Sequence, residues 1–479
     1  MKKLLYLFTS AILFAALFSC NSNDNKDILK YTTDKTLGLS RINLNTISDK
    51  IPVDKILKEK KDIKEDEKLL LQLVSKPKES GIDTKKPFYL IVDPGKSTYS
   101  PDIKVLFWIS DKAKFQKSMS SLTKSKISID KNNYIYADGK LSGSMKGDIA
   151  VMSTDKSYNS YNLYSQDIGT DKIIPLNEKY FTDFWSRKGT SNSVIKEQVN
   201  QSLVSNKDIG GWVNLAAVSS YVSKGYIETL AINKLIKDSG IGFDFNFDKG
   251  KSEMDSKTFF NSDLKKIVEK YYNKNKINYE LVKNLELDNT KSFSVGFFSL
   301  DLMKYLIKES GFEATINHYL SATNNNLDEI TSTFTGDYAF ADFKAPKDSA
   351  DYYMTRSAVV FGYNPNKKDN LTAILKGPLA EGKKYVIAED KIIFSESNDI
   401  LYQFKSKKAG KNSKLDNKSG ITSYSWSDGH DYNTKEKASV KITDVVNNSK
   451  EENGNLVSKT VLTLDKKDEN ALYYLIMNE

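Results

Sequence analysis

The chain has 479 residues, 39% hydrophobic and 11% aromatic, enough to build cores in two to four domains of roughly 100–200 residues each and too apolar for a disordered chain. Its formal net charge of +9 comes almost wholly from lysine. Arg41, Arg187 and Arg356 are the only arginines, and lysines alternate with acids, as in 58–67, which argues against a nucleic-acid partner built on clustered arginine forks. Cys20 is the only cysteine, which excludes an intrachain disulfide and a cysteine-ligated zinc.

At the N-terminus, Lys2 and Lys3 precede an almost wholly apolar run from Leu4 to Phe18. The run is too short to span a bilayer and has the length of a secretory leader. Leu17-Phe18-Ser19-Cys20 resembles the bacterial lipobox, with Phe18 larger than the strictest pattern has. The resemblance implies a signal peptide over 1–19, lipidation of Cys20 by a diacylglyceryl group and further fatty-acyl (palmitate-type) chains, and an acylated, polar tether over 20–35. One chain alone anchors weakly, because each buried methylene contributes only about 0.8 kcal/mol. Asn21 after the cysteine matches an outer-membrane address, with the body facing the periplasm or the cell surface. The lipid bilayer is thus the first expected partner, and no later run reaches the roughly 18 apolar residues of a membrane helix.

Beyond the tether, strands and helices alternate. Leu69, Leu70, Leu73 and Val74 mark an amphipathic helix ending near Gly81. Asp111 caps a predicted helix with Phe115, Met119 and Leu122 on its apolar face. Ile241, Phe243, Phe245 and Phe247 alternate along a strand that turns at Lys249-Gly250. Ser262 precedes Leu264, Ile267 and Tyr271 at helical spacing. Ala438–Val446 and Leu456–Leu464 read as a hairpin with a long tip rich in Asn and Glu. These signals give a first α+β unit over 36–190, a middle α+β segment over 191–285, a second α+β unit over 286–425, and a C-terminal hairpin and helix over 426–479.

One pattern occurs three times. Ile42-Asn43-Leu44, Val213-Asn214-Leu215 and Phe298-Ser299-Leu300 each lead to apolar residues three and seven positions past the leucine. A strand ends, a capping residue turns the chain and a helix begins. This predicts equivalent, buried leucines. A second similarity links Val105-Leu106-Phe107-Trp108-Ile109 to Val359-Val360-Phe361-Gly362-Tyr363. The fold class expected is α+β: two or more related units of mainly antiparallel sheet backed by helices, arising by internal duplication.

Ser80-Gly81-Ile82-Asp83 with Lys86-Pro87-Phe88-Tyr89-Leu90, and the closing Leu462-Thr463-Leu464 with Asp468-Glu469-Asn470-Ala471-Leu472, resemble an uncharacterised family of Bacteroidota-type lipoproteins. The resemblance implies export and a repeated α+β body, and brings no catalytic residues.

Local motifs for chemistry are sparse. His318 lies in a predicted helix and reads as a structural or surface residue. His430, between Asp428 and Asp431, is a weak candidate for an oriented imidazole or a cation ligand. Ser121–Lys124 and Ser193–Lys196 have Ser-x-x-Lys spacing, which a lysine- and serine-rich chain produces by chance. Asp130 with Asn132 and Asn133 lacks the further ligands of a calcium loop. No cofactor or metal motif is found, and no catalytic residue is assigned. Tyrosines such as Tyr158, Tyr161 and Tyr164 suit either strand packing or recognition. Three readings follow: a non-catalytic binding or assembly lipoprotein with an envelope protein partner; a polymer hydrolase using unmarked carboxylates or a Ser–Lys pair; and a small-ligand binding lipoprotein with its pocket between two halves.

Overall fold

The structure is a computed structural model. It describes residues 28–478 apart from 61–62, 64–67, 69–70, 72–78, 98–99, 154–155, 159–171, 204–205, 226–227, 229–231, 273–275, 322–324, 345–355, 378–379, 407, 416–417 and 430–439. The helix expected over Leu69–Val74, and Tyr161 and Tyr164, lie outside the described residues. The fold is α+β, with antiparallel sheet backed by helices. The chain forms two compact units: residues 1–228, 237–259 and 467–479 make the first, and residues 229–236 and 260–466 the second.

The strands of the first unit, in chain order, are β1 (Gly38–Ile42), β2 (Phe88–Ser97), β3 (Ser100–Trp108), β4 (Ile127–Ile129), β5 (Tyr134–Ala137), β6 (Lys140–Lys146), β7 (Ile149–Ser153), β8 (Lys156–Tyr158), β9 (Lys172–Ile174), β10 (Ile209–Asn214), β11 (Gly240–Asp248) and β12 (Lys251–Phe259). β8 and β9 form a ribbon of their own. The others pair antiparallel in the order β12-β11-β10-β1-β2-β3-β7-β6-β5-β4. The uninterrupted apolar run of β3 is explained by burial on both faces. Leu106 and Trp108 face one core with Phe181, Phe184 and Val199 from helices Glu178–Trp185 and Ser193–Leu203. Val105 and Phe107 face the other, with Phe115, Met119 and Leu122 of helix Lys112–Thr123. That helix starts as the sequence predicts: the Asp111 side chain accepts from the Lys114 amide. The helix Ala471–Asn478 completes the unit, with Leu472 and Tyr473 buried.

The second unit contains β13 (Thr290–Phe297), β14 (Phe334–Phe343), β15 (Ser357–Tyr363), β16 (Tyr385–Ile387), β17 (Lys391–Phe394), β18 (Ser423–Ser427), β19 (Ile442–Glu452) and β20 (Asn455–Leu464). They pair in the order β16-β17-β15-β14-β13-β18-β19-β20. The strand order of the first unit maps onto this one, with β1, β2, β3, β7, β10, β11 and β12 taking the places of β13, β14, β15, β17, β18, β19 and β20. Phe293, Val295, Val360 and Ile393 build the core on one face of the sheet, with Ile400 and Phe404 of helix Asn398–Lys405. On the other face Tyr363, Leu371, Leu375 and Ile392 make a smaller cluster.

The threefold pattern meets a shared setting and a different burial. Asn43, Asn214 and Ser299 each stand at the N-cap of a helix, and Leu44, Leu215 and Leu300 are first in it. The caps are the buried residues, at 0%, 2% and 2% exposure, whereas the leucines are only half-buried. Val222, seven past Leu215, is 67% exposed. The first turn of a helix points its side chains back past the strand end, so the polar cap lies deeper than the residue after it. Asn261, not Ser262, caps helix Ser262–Tyr271, accepting from the Leu264 amide. The C-terminal hairpin has no long tip: the Asn- and Glu-rich stretch is strand, closed by Asn453 and Gly454 at φ 50° and 74°, as a tight hairpin turn of the primed type requires.

Candidate binding cleft

The candidate site lies wholly in the second unit, on the sheet face away from its larger core. Cross-strand pairing lines up Phe340 of β14, Val359 of β15, Phe394 of β17 and Tyr385 of β16 in one row on one face. Phe361, two residues along β15, shares that face and meets Phe334 and Phe394 edge-on, with ring centroids 6.0 and 6.4 Å apart. Ile330 of helix Leu327–Thr333 and Ile374 and Leu375 of helix Lys368–Lys376 line the walls, enclosing a cleft of about 560 Å³. That volume falls within the range of small-ligand sites.

The first unit shows what this face looks like when it is closed. Phe107 holds on β3 the place that Phe361 holds on β15, and it is 2% exposed against 37%. Phe115 covers Phe107, their rings 5.6 Å apart, and β4–β6 extend that side of the core. In the second unit Phe340 and Tyr385 are also 42% and 39% exposed. Leaving such rings partly in water forgoes a share of the roughly 1.5–3 kcal/mol that full burial of a large apolar side chain contributes, so the sheet itself gains nothing from the opening.

The cleft is polar at one end. Ser357 begins β15, and Ser395, just past β17, donates its hydroxyl to the Ser357 carbonyl at 2.7 Å. The Ser395 amide bonds the Lys384 carbonyl. Lys384 Nζ reaches the Glu396 carbonyl at 3.3 Å and Asn398 Oδ1 at 3.2 Å, and Lys383 is exposed beside it. The far end, where Phe334 pairs with Tyr363, is apolar. Glu396 is the one carboxylate among the described lining residues, whereas glycoside hydrolysis needs two.

A second cluster, in the first unit, has catalytic residue types but a structural arrangement. Lys104, 1% exposed, sits 2.7 Å from Asp93 and 2.8 Å from Asp102. Arg187 contacts Asp93 at 2.8 Å, and Thr36 donates to its other oxygen. The Tyr180 hydroxyl donates to Asp102 at 2.7 Å and lies 3.1 Å from Ser153 Oγ. Burial pushes the Asp93 carboxyl up, but the charges of Lys104 and Arg187 and the hydrogen bonds from Lys104 and Thr36 outweigh it and hold it below the ordinary range. Burial first, then the Asp102 charge, pushes Tyr180 up, so it stays a donor. The cluster neutralises itself and is sealed in the core beside Phe184.

Of the residues singled out from sequence, Cys20 and His430 lie outside the described residues. Asp428, beside His430, is held by Lys344 at 3.2 Å. His318 is exposed on helix Glu313–Ser321. Ser121, Lys124, Ser193 and Lys196 are exposed on two separate helices. Asp130 closes a turn by accepting from the Asn132 and Tyr134 amides. No group of three or more His, Cys, Asp or Glu side chains suited to a metal occurs among the described residues. No helix of these residues is long and apolar enough to cross a membrane.

No family model matches the sequence, and no curated protein is similar to it. A solved structure described as crystal form III of TP0453 aligns at 7% identity with a TM-score of 0.28, covering 52% of this chain and 88% of that one; a likeness this weak carries no argument.

Proposed function

We propose that the chain is an envelope lipoprotein, anchored to the outer membrane through acylated Cys20, that works by binding rather than catalysis, with the second unit's cleft as its ligand site. The supporting observation is Phe361, exposed in the cleft where its counterpart Phe107 is sealed. This favours the small-ligand reading, with the pocket inside one unit. The hydrolase reading gains no second carboxylate there, and the best-formed Lys–Ser–Tyr cluster is buried and self-paired. A protein partner has its own support in Phe312 and Tyr319, 42% and 73% exposed at helix Glu313–Ser321. The common strand order supports an internal duplication. Membership of the Bacteroidota-type family is proposed on the sequence of the Ser80–Asp83 motif alone; in the fold, the Gly81 carbonyl of that motif accepts from the Ser110 and Asp111 amides at the start of the following helix.

Two experiments test this. Cys20→Ala should abolish labelling by a metabolic fatty-acid probe; label retained on the variant would remove the anchor. A photoactivatable apolar probe added to membranes carrying the full-length protein should label peptides containing Phe361 or Phe394. Labelling confined to other segments would remove the cleft.

A further inference from the structure

Resting on the cleft as a ligand site, we propose that its occupant is a long-chain carboxylate, a single fatty-acyl chain with an anionic head. The argument is the polarity gradient along the strands. Antiparallel register gathers Ser357, Lys384, Ser395 and Glu396 at one end. Phe334 and Phe361 hold the other. A ligand filling the whole cleft must be apolar over most of its length and polar at one tip. Two ammonium groups, Lys383 and Lys384, outnumber the one carboxylate, Glu396, so the tip they favour is an anion, which a charge-assisted hydrogen bond holds more strongly than a neutral group. The Ser395 hydroxyl is committed to Ser357 and Lys384 is braced by Asn398, so the polar end is pre-positioned and less ordering is needed on binding.

The test uses the full chain carrying Cys20→Ala, so that no acyl chain of its own competes. The probes are palmitate and the neutral alcohol of the same chain length, each displacing a fluorescent fatty acid. Both lysines are exposed, so the double variant Lys383→Glu/Lys384→Glu should retain the parent melting temperature. It should weaken palmitate about tenfold or more and leave the alcohol within about twofold. Phe361→Glu should weaken both. If charge reversal shifts palmitate and alcohol alike or neither, the carboxylate assignment is overturned while the cleft stands as an apolar site. If the parent chain binds neither probe, or if Phe361→Glu binds both as the parent does, the cleft reading itself falls.

Discussion

At the scale of single residues, the sequence shows which types are present but not which of them meet. Lys104, Asp93 and Asp102 look like three more members of a solvated, charge-laced surface, yet strand pairing brings them into one buried cluster with Arg187. Lys104→Met should lower stability by about 3–5 kcal/mol, because it removes the buried ammonium group that two buried carboxylates share; urea titration measures this. The sign of the pH effect follows from Asp93, whose folded-state value is depressed. Its contribution is present above the unfolded value of about 3.9 and is lost as pH falls through the lower folded value. Asp93→Asn should therefore be less stable at neutral pH and lose less on acidification below about pH 4 than the parent. Gly81 is a second such residue. It holds φ +75°, and an added Cβ would meet the Phe115 amide nitrogen at 2.3 Å. Gly81→Ala should cost more than the roughly 1–2 kcal/mol that a left-handed backbone alone costs an L-residue, with the loss read from the melting of the first unit.

At the scale of elements, periodicity served where one face is buried and the other wet. The start of helix Lys112–Thr123 was legible at Asp111 for that reason, and strand Gly240–Asp248 with its turn was legible from the alternation of its apolar residues. It failed where depth depends on neighbours remote in sequence. Leu44, Leu215 and Leu300 read as core residues from their spacing, but what lies over the first turn of each helix is set by other strands. Alanine at these leucines should cost less than the 2–5 kcal/mol of a fully buried leucine. Asn214→Ala and Ser299→Ala should each cost about 0.5–2 kcal/mol, since both side chains accept from amides of the first turn. Equilibrium denaturation of the five variants ranks them directly. The cleft shows the same gap between sequence and structure. Alternation along Val359–Tyr363 identifies two faces of a strand, and both look equally apolar. Nothing in the segment reports that helix Lys368–Lys376 leaves one of them partly uncovered.

For the whole molecule, the α+β class and its antiparallel sheet were visible in the alternation of strand and helix signals along the chain. The unit limits were not, because each unit is assembled from separated pieces of chain and no change of composition marks the crossings. With a single cysteine in the chain, stability rests on apolar cores, and reductant should leave the melting temperature of the full chain unchanged. The helix Ala471–Asn478 bears on how those cores form. Leu472, Tyr473 and Ile476 are 0–1% exposed in the first unit, where Lys55 lies over the Tyr473 ring at 4.4 Å. Yet these residues are synthesised after the entire second unit. A chain that emerges from its N-terminus cannot finish its first unit first; that unit stays open until the 471–478 segment has been made. The first unit therefore departs from the usual N-terminal-first order of completion, and a chain released short of residue 471 lacks the side chains that fill this part of its core.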